Sequence, residues 1–253
     1  MSINWDKDRN YIILGAISLL VVIGLGGYSG YLNYTTAKDE RMCLVNSDNL
    51  YVLDILFDTT DISSENQKRV VKERITEKLN DINEGSLVRI YSISAEIGGL
   101  SNVEFEMCKP RTVAQTSDLT GNKVFAKRNY IDKFKAPLDT IVNNMLNSKP
   151  QVKSPIIEAL HDYSKKIHPV STNKEIIIIS DLLQNTKDYS IYNETKRLTT
   201  YPYMVDLKKA DVQIYVMERK GNMRKRQNRL FIEDWSKMIG KNVENLKFDK
   251  VRS

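Results

Sequence analysis

The sequence predicts an α/β domain, a mostly parallel sheet with helices on both faces, carried behind one N-terminal transmembrane helix. Three observations lead there. Residues 11–32 (YIILGAISLLVVIGLGGYSGYL) run 22 positions without a charge, enough at ~1.5 Å per residue to cross a ~30 Å hydrocarbon layer. Residues 51–58 (YVLDILFD) and 175–180 (EIIIIS) are apolar, β-branched runs of the kind buried on both faces of a parallel sheet. Between such runs lie stretches with apolar residues at helical spacing, and that alternation implies crossover connections.

The organisation follows in order: a tail at 1–10, the anchor at 11–32, a polar linker at 33–49 and the domain at 50–253. A cleaved signal peptide would have a shorter apolar core of ~7–15 residues and a small-residue cleavage site. No clean Ala-x-Ala follows the run, which favours an uncleaved anchor. Trp5, Tyr11, Tyr28, Tyr31 and Tyr34 flank or end it, as interfacial aromatics do. Lys7 and Arg9 on one side balance Lys38 and Arg41 on the other, so the positive-inside count does not orient the span. Two cysteines, Cys43 before the first strand and Cys108 after an extended stretch, could pair at sheet ends or be separate thiols. Pairing would suit an oxidising compartment. The expected arrangement is a single pass through the inner membrane with the domain on the periplasmic side.

Within the domain, the strand ending at Asp58 is followed by Ser64-x-x-Gln67, a capping box. The helix it opens carries Val71, Ile75, Leu79 and Ile82 on one stripe and stops near Gly85. Residues 86–94 (SLVRIYSIS) read as a second strand, and Val103, Phe105 and Met107 alternate as a third. Residues 109–129 form a polar stretch without periodicity. Helical spacing returns at Phe134, Leu138, Ile141 and Met145, and again after Pro155 with Ile156, Leu160 and Ile167. The strand at 175–180, a strand at 212–217 (VQIYVM) and a helix at 230–239 complete the prediction.

The net charge of +6 is modest, and much of the basicity lies in residues 218–229 (ERKGNMRKRQNR), with six Lys or Arg. That run reads as a solvated loop or helix start. No aromatic ladder or nucleic-acid motif accompanies it, so nucleic acid is not an expected partner, nor is a small-molecule substrate. Oxygen ligands gather at strand ends and helix starts: Asp58, Thr60 and Asp61, then Ser154, then Asp181. Such oxygens suit Mg2+ or Mn2+. They suit zinc badly, because the chain has only His161 and His168.

A strand ending in DTTDIS, a serine in SPIIEAL and a strand ending in IIIISD together resemble the von Willebrand factor type A domain, with its Rossmann-like sheet. More narrowly, they look like a divergent bacterial set of single-pass, membrane-anchored type A-like proteins. The resemblance implies a metal-ion-dependent adhesion site in which Asp58 and Thr60 match the first loop, Ser154 the second-loop threonine and Asp181 the third-loop aspartate. Ile62 stands where the second serine belongs, so one ligand is missing, with Asp61 and Ser63 as candidate substitutes. Both a bound Mg2+ or Mn2+ and a metal-free site stay open. The family role implies recognition of a protein partner at the membrane and not turnover. Tyr189, Tyr192, Tyr201 and Tyr203 are candidate partner contacts, because tyrosines often anchor interfaces. The competing reading is a phosphohydrolase similar to haloacid dehalogenases, with Asp58 as nucleophile and Asp181 and Asp188 holding Mg2+. Thr60 stands where most such phosphatases have an acid, and Ser180 precedes Asp181 where a glycine is usual.

Overall fold

A computed structural model describes residues 5–44, 51–116, 122–167, 173–192, 197–201 and 203–253. Met1 to Asn4 of the tail, residues 45–49 of the linker, part of the 109–129 stretch and His168 lie outside the described residues. The first helix, α1 (Trp5–Thr36), extends the apolar run at both ends, and its Ile13–Tyr31 stretch has a mean hydropathy of 1.9. By length and composition it could cross a membrane or serve as a signal sequence. Together with a short following segment it forms one compact unit; residues 41–43 belong with the unit that starts again at Tyr51.

That second unit is built on a seven-stranded sheet. Its strands are β1 (Val52–Asp58), β2 (Leu87–Ser94), β3 (Gly99–Leu100), β4 (Phe105–Cys108), β5 (Lys174–Ser180), β6 (Ala210–Met217) and β7 (Val243–Val251). The order is β3-β2-β1-β5-β6-β7, with β4 also paired to β2. From β2 through β7 every neighbouring pair is parallel, while β3 and β4 run antiparallel to β2. The chain leaves β1 toward β2 on one side and returns to β5 on the other. The strand order therefore reverses between β1 and β5, the place where open sheets of this kind hold their ligands.

Alternation along the strands divides the core into two layers. Leu53, Ile55, Phe57, Ile177 and Ile179 face α2 (Glu65–Asp81) and α4 (Ala136–Leu146), meeting Val71, Ile75, Leu138 and Val142. Leu56, Ile176, Ile178, Ile214 and Val216 face α5 (Ile156–Lys166) and α7 (Arg229–Ile239), meeting Ile157, Leu160, Phe231 and Trp235. Each such aliphatic side chain contributes about 1.5–3 kcal/mol of transfer free energy when fully buried.

The predicted capping box is present. The Ser64 side chain accepts from the Gln67 backbone N–H, and Gln67 Oε1 accepts from the Ser64 N–H at 3.0 Å. Several boundaries depart from expectation. Helix α3 (Lys123–Arg128) begins inside the polar stretch and runs through a π-helical segment, Asn129–Lys135, into α4. Pro137, near the start of α4, has no N–H to give, so one intrahelical bond is missing just past the π segment. Pro155 occupies the cap position of α5, not its first turn. The basic run contributes a five-residue helix, α6 (Asn222–Arg226), and β7 was not expected at all.

Cys43 and Cys108 form a disulfide that packs with Val52 and Leu87 at the amino ends of the strands. The Cys108 N–H donates to the Arg41 carbonyl at 2.8 Å, so residues of the expected linker are built into the sheet's edge.

Candidate functional site

Asp58 ends β1 and Asp181 follows β5, which puts both at the carboxyl edge where the strand order reverses. The Asp58 carboxylate is held on both oxygens. Oδ1 accepts from the Thr60 N–H at 3.0 Å and the Thr60 hydroxyl at 2.6 Å, and Oδ2 accepts from the Ser180 hydroxyl at 2.7 Å. Thr60 Oγ1 also lies 2.9 Å from Ser154 Oγ. A hydroxyl has one proton to give, so with Thr60 donating to the carboxylate, Ser154 supplies the proton between the two hydroxyls. Thr60, Ser154, Ser180 and Asp181 are all buried.

The loops that present these groups are tied to one another. Ser154 and Asn185 exchange backbone bonds at 2.9 and 3.0 Å, and the Gln151 N–H donates to the Thr60 carbonyl at 2.7 Å. After β5 the chain turns sharply at Leu182, whose φ of 60° is left-handed. Such a conformation costs a non-glycine residue about 1–3 kcal/mol and is kept only when its surroundings impose it. Here the Leu182 N–H donates to Ser180 Oγ, the Leu183 N–H to Asp181 Oδ1, and the Trp235 indole to the Leu182 carbonyl.

The structure brings a fourth loop into the site. Arg219, two residues beyond the end of β6, points Nε at Asp181 Oδ2 (2.6 Å) and Nη2 at Asp61 Oδ2 (3.1 Å), and donates from Nη1 to the Ile62 carbonyl (2.6 Å). Its own N–H donates to Gln227 Oε1 at 2.8 Å, and the Gln227 amide donates to the Asp181 and Met217 carbonyls. Below it, Gln67 Nε2 donates to the carbonyls of Glu218 and Val251. Gly221, at φ 62° and ψ −136°, makes the turn into α6 in a region closed to most side chains. Of the basic run, Lys220, Arg224 and Lys225 are solvated, as its composition predicts. Arg219 belongs to the interior side of that run, and its position just past a strand end was the available signal.

Loss of solvent raises the Asp58 carboxyl above the usual carboxylate range, against the bonds from Thr60 and Ser180 that lower it. Asp181 is pushed up to about 8, first by burial; Arg219 pulls it down, and the nearby Asp58 and Asp61 push it further up.

Of the residues expected at a metal, Asp58, Thr60, Ser154 and Asp181 converge. Asp61 turns to Arg219, and Ser63 lies beside the helix cap, outside the hydrogen-bonded set among the described residues. The donors fit a hard cation in type. They do not fit one as they stand, because Asp181 Oδ2 and Asp61 Oδ2 both face a guanidinium. Among the described residues no group of three or more His, Cys, Asp or Glu is placed to hold a metal. Asp188 is exposed, whereas Asp181 is buried.

The four tyrosines expected at a partner are packed to different extents, and Tyr192, Tyr201 and Tyr203 keep part of their surface open. Tyr189 is buried, and its ring meets Tyr201 edge-on at 5.7 Å. Tyr201 donates to Glu158 at 2.7 Å and lies 5.1 Å from Tyr203, which leans on His161. Tyr192 is half-buried beneath the Arg226 guanidinium. These four side chains pack on the core cluster that includes Leu160 and Trp235, three of them with part of the ring exposed.

No protein-family model matches the chain, and no curated relative does. Among solved structures it is similar to the ArnB paralog VWA2 from Sulfolobus acidocaldarius, at 11% identity and a TM-score of 0.37, with 74% of this chain aligned to 40% of that one. It is also similar to the human COPII-coat protein Sec24c, at 11% identity and a TM-score of 0.43, with 86% of this chain aligned to 31% of that one. The chain thus spans less than half the length of either.

Proposed function

We propose that the chain is a membrane-anchored, type A-like binding module that docks a protein partner on the carboxyl edge of its sheet, at a degenerate metal-ion-dependent adhesion site. In this reading residues 11–32 are an uncleaved single-pass anchor in the inner membrane, 33–49 a linker and 50–253 the recognition domain. The disulfide supports an extracytoplasmic side, where such bonds persist. The observation that carries the reading is the convergence of Asp58, Thr60, Ser154 and Asp181 from three separate segments at the switch point of the sheet. Beside them, among the described residues, Lys220, Arg224, Lys225 and Arg252 are exposed and meet no carboxylate, while Ile62 and Met223 present apolar surface. That rim suits a partner with an acidic surface.

No turnover is assigned to the site, since both oxygens of Asp58 are engaged by neighbouring hydroxyls and a backbone N–H. The test is capture of partners from the native membrane by the detergent-extracted full chain. Asp58→Ala and the triple change Lys220→Glu, Arg224→Glu and Lys225→Glu should each weaken capture by about tenfold or more, the range expected when an interface centre or its steering charges are lost. Steady hydrolysis of a phosphate ester, abolished by Asp58→Asn, would overturn the proposal in favour of the hydrolase.

A further inference from the structure

We infer that Arg219 is a built-in cation: its guanidinium does the tying that a divalent ion would do, joining the β1 and β5 loops through Asp61, the Ile62 carbonyl and Asp181 without metal. The inference concerns what holds the edge, and it stands whether or not a partner docks there.

In DTTDIS, Thr60 keeps a hydroxyl at the first-loop position, whereas Ile62 brings none where the resemblance places a second serine. Ile62 stands at the missing serine, and its side chain is turned out to solvent, 59% exposed. Its carbonyl, however, accepts from Arg219 Nη1 at 2.6 Å. The same guanidinium reaches Asp61 Oδ2 from the β1 loop and Asp181 Oδ2 from the β5 loop. Three oxygens from two loops thus surround one positive charge, as ligands surround an ion, at N···O distances of 2.6–3.1 Å. A Mg2+ would demand about 2.0–2.1 Å to each oxygen in octahedral array. The planar fork supplies fixed donor directions instead, and arginine keeps its charge at any pH the protein meets.

The cation is also placed to stay. Its backbone N–H is bound by Gln227, whose amide simultaneously holds the Asp181 carbonyl, so the arginine and the aspartate it contacts are positioned by one buried side chain. Gln67 fixes the Glu218 carbonyl immediately before it. Where the side chain at position 62 offers no oxygen, its carbonyl does, and Arg219 is the cation that meets it.

Removing the guanidinium should expose the oxygen set and create a cation site that the parent lacks. The experiment compares the detergent-extracted full chain with its Arg219→Gln and Arg219→Lys variants, using Mn2+ and Mg2+ as probes, calorimetric titration and thermal unfolding. The parent should give no heat and no thermal shift at millimolar ion, and chelator should leave its melting unchanged. Arg219→Gln should melt lower, recover with millimolar Mn2+, and bind Mn2+ at least about tenfold more tightly than the parent, a gain seen as a concentration-dependent melting point. Adding Asp181→Asn to that variant should abolish the recovery. Arg219→Lys keeps the charge without the fork, so it should fold with intermediate stability and still refuse the ion. Mn2+ binding by the parent that is lost in Asp58→Ala would overturn the inference. So would an Arg219→Gln chain that melts like the parent and ignores Mn2+. If Arg219→Gln does not fold, an Arg219→Lys chain that takes up Mn2+ as the inference forbids would be equally fatal.

Discussion

At the amino end of the sheet the strand starts Val52 and Leu87 are closed by the Cys43–Cys108 disulfide, in apolar surroundings. At the carboxyl end the strand ends Asp58 and Asp181 are closed by hydroxyls and by Arg219, and Asp61, Asp58 and Asp181 outnumber the one guanidinium among them. One closure is covalent and electrically neutral. The other is polar, carries a surplus of acid and is made of groups that can exchange partners. Rigidity at the first end leaves the second as the place where a ligand can change something. The buried pair between them sharpens the contrast. Asp54, in the middle of β1, takes two parallel bonds of 2.7 Å from Arg89 and another from the Tyr163 hydroxyl. There one acid meets one base, and nothing is left over to recruit a partner.

The largest expected effect lies at that middle pair. Asp54→Ala leaves Arg89 partly buried without its counter-ion and should cost about 3–5 kcal/mol in chemical unfolding of the full chain. Changing Asp54 and Arg89 together to apolar residues should recover most of the loss, because the penalty is an unpaired charge and not a missing attraction. A single change as costly as Asp54→Ala at Asp181 would break the comparison, since Arg219 keeps Asp61 and the Ile62 carbonyl when Asp181 is lost.

Next in size is the amino end. The disulfide closes a loop with a sequence separation of 65. Replacing both cysteines by alanine should cost about 2–4 kcal/mol, chiefly by freeing the unfolded chain. Partner capture at the opposite edge should survive this change under conditions where the variant remains folded. Equal loss of capture and stability would show that the two ends are not independent.

The sequence revealed what was uniformly apolar and concealed what was locally mixed. β1 and β5 are buried on both faces, and their runs of Leu, Ile and Phe announced them. β7 reads VENLKFDKV and sits at the sheet's edge with most positions half or fully exposed, so no apolar run marked it. Asp58, Thr60, Ser154 and Asp181 were legible as a set because each lies at or within two residues of an element's end, Asp58 closing β1 and Asp181 following β5. Ser180 was hidden at the tail of an apolar run, although it gives Asp58 its second hydroxyl. Gln227 and Arg219 were hidden by charged neighbours, since composition alone cannot say which member of a basic run turns inward. The tyrosines rested on frequency at interfaces, which does not say how much of each ring is packed: Tyr189 is buried, and Tyr192, Tyr201 and Tyr203 are partly open.

The smallest expected effect is a slope. Asp181, raised to about 8 in the folded chain from an unfolded value near 3.8, binds a proton in the native state that the unfolded state has released. Where the native state holds the extra proton, stability falls as pH rises. Its contribution is therefore complete below about pH 4 and lost as pH climbs through about 8, opposite in sign to an ordinary salt-bridged aspartate. Asp181→Asn, which cannot ionise, should remove that part of the decline, leaving a variant close to the parent at pH 5 and less sensitive to pH up to 9. The Cys43→Ala, Cys108→Ala chain should keep the parent's slope at lower absolute stability, because nothing at the amino end titrates with Asp181. Were the Asp181→Asn profile to fall as steeply as the parent's, the surplus charge would reside elsewhere, and the contrast between the two ends of the sheet would lose its electrostatic half.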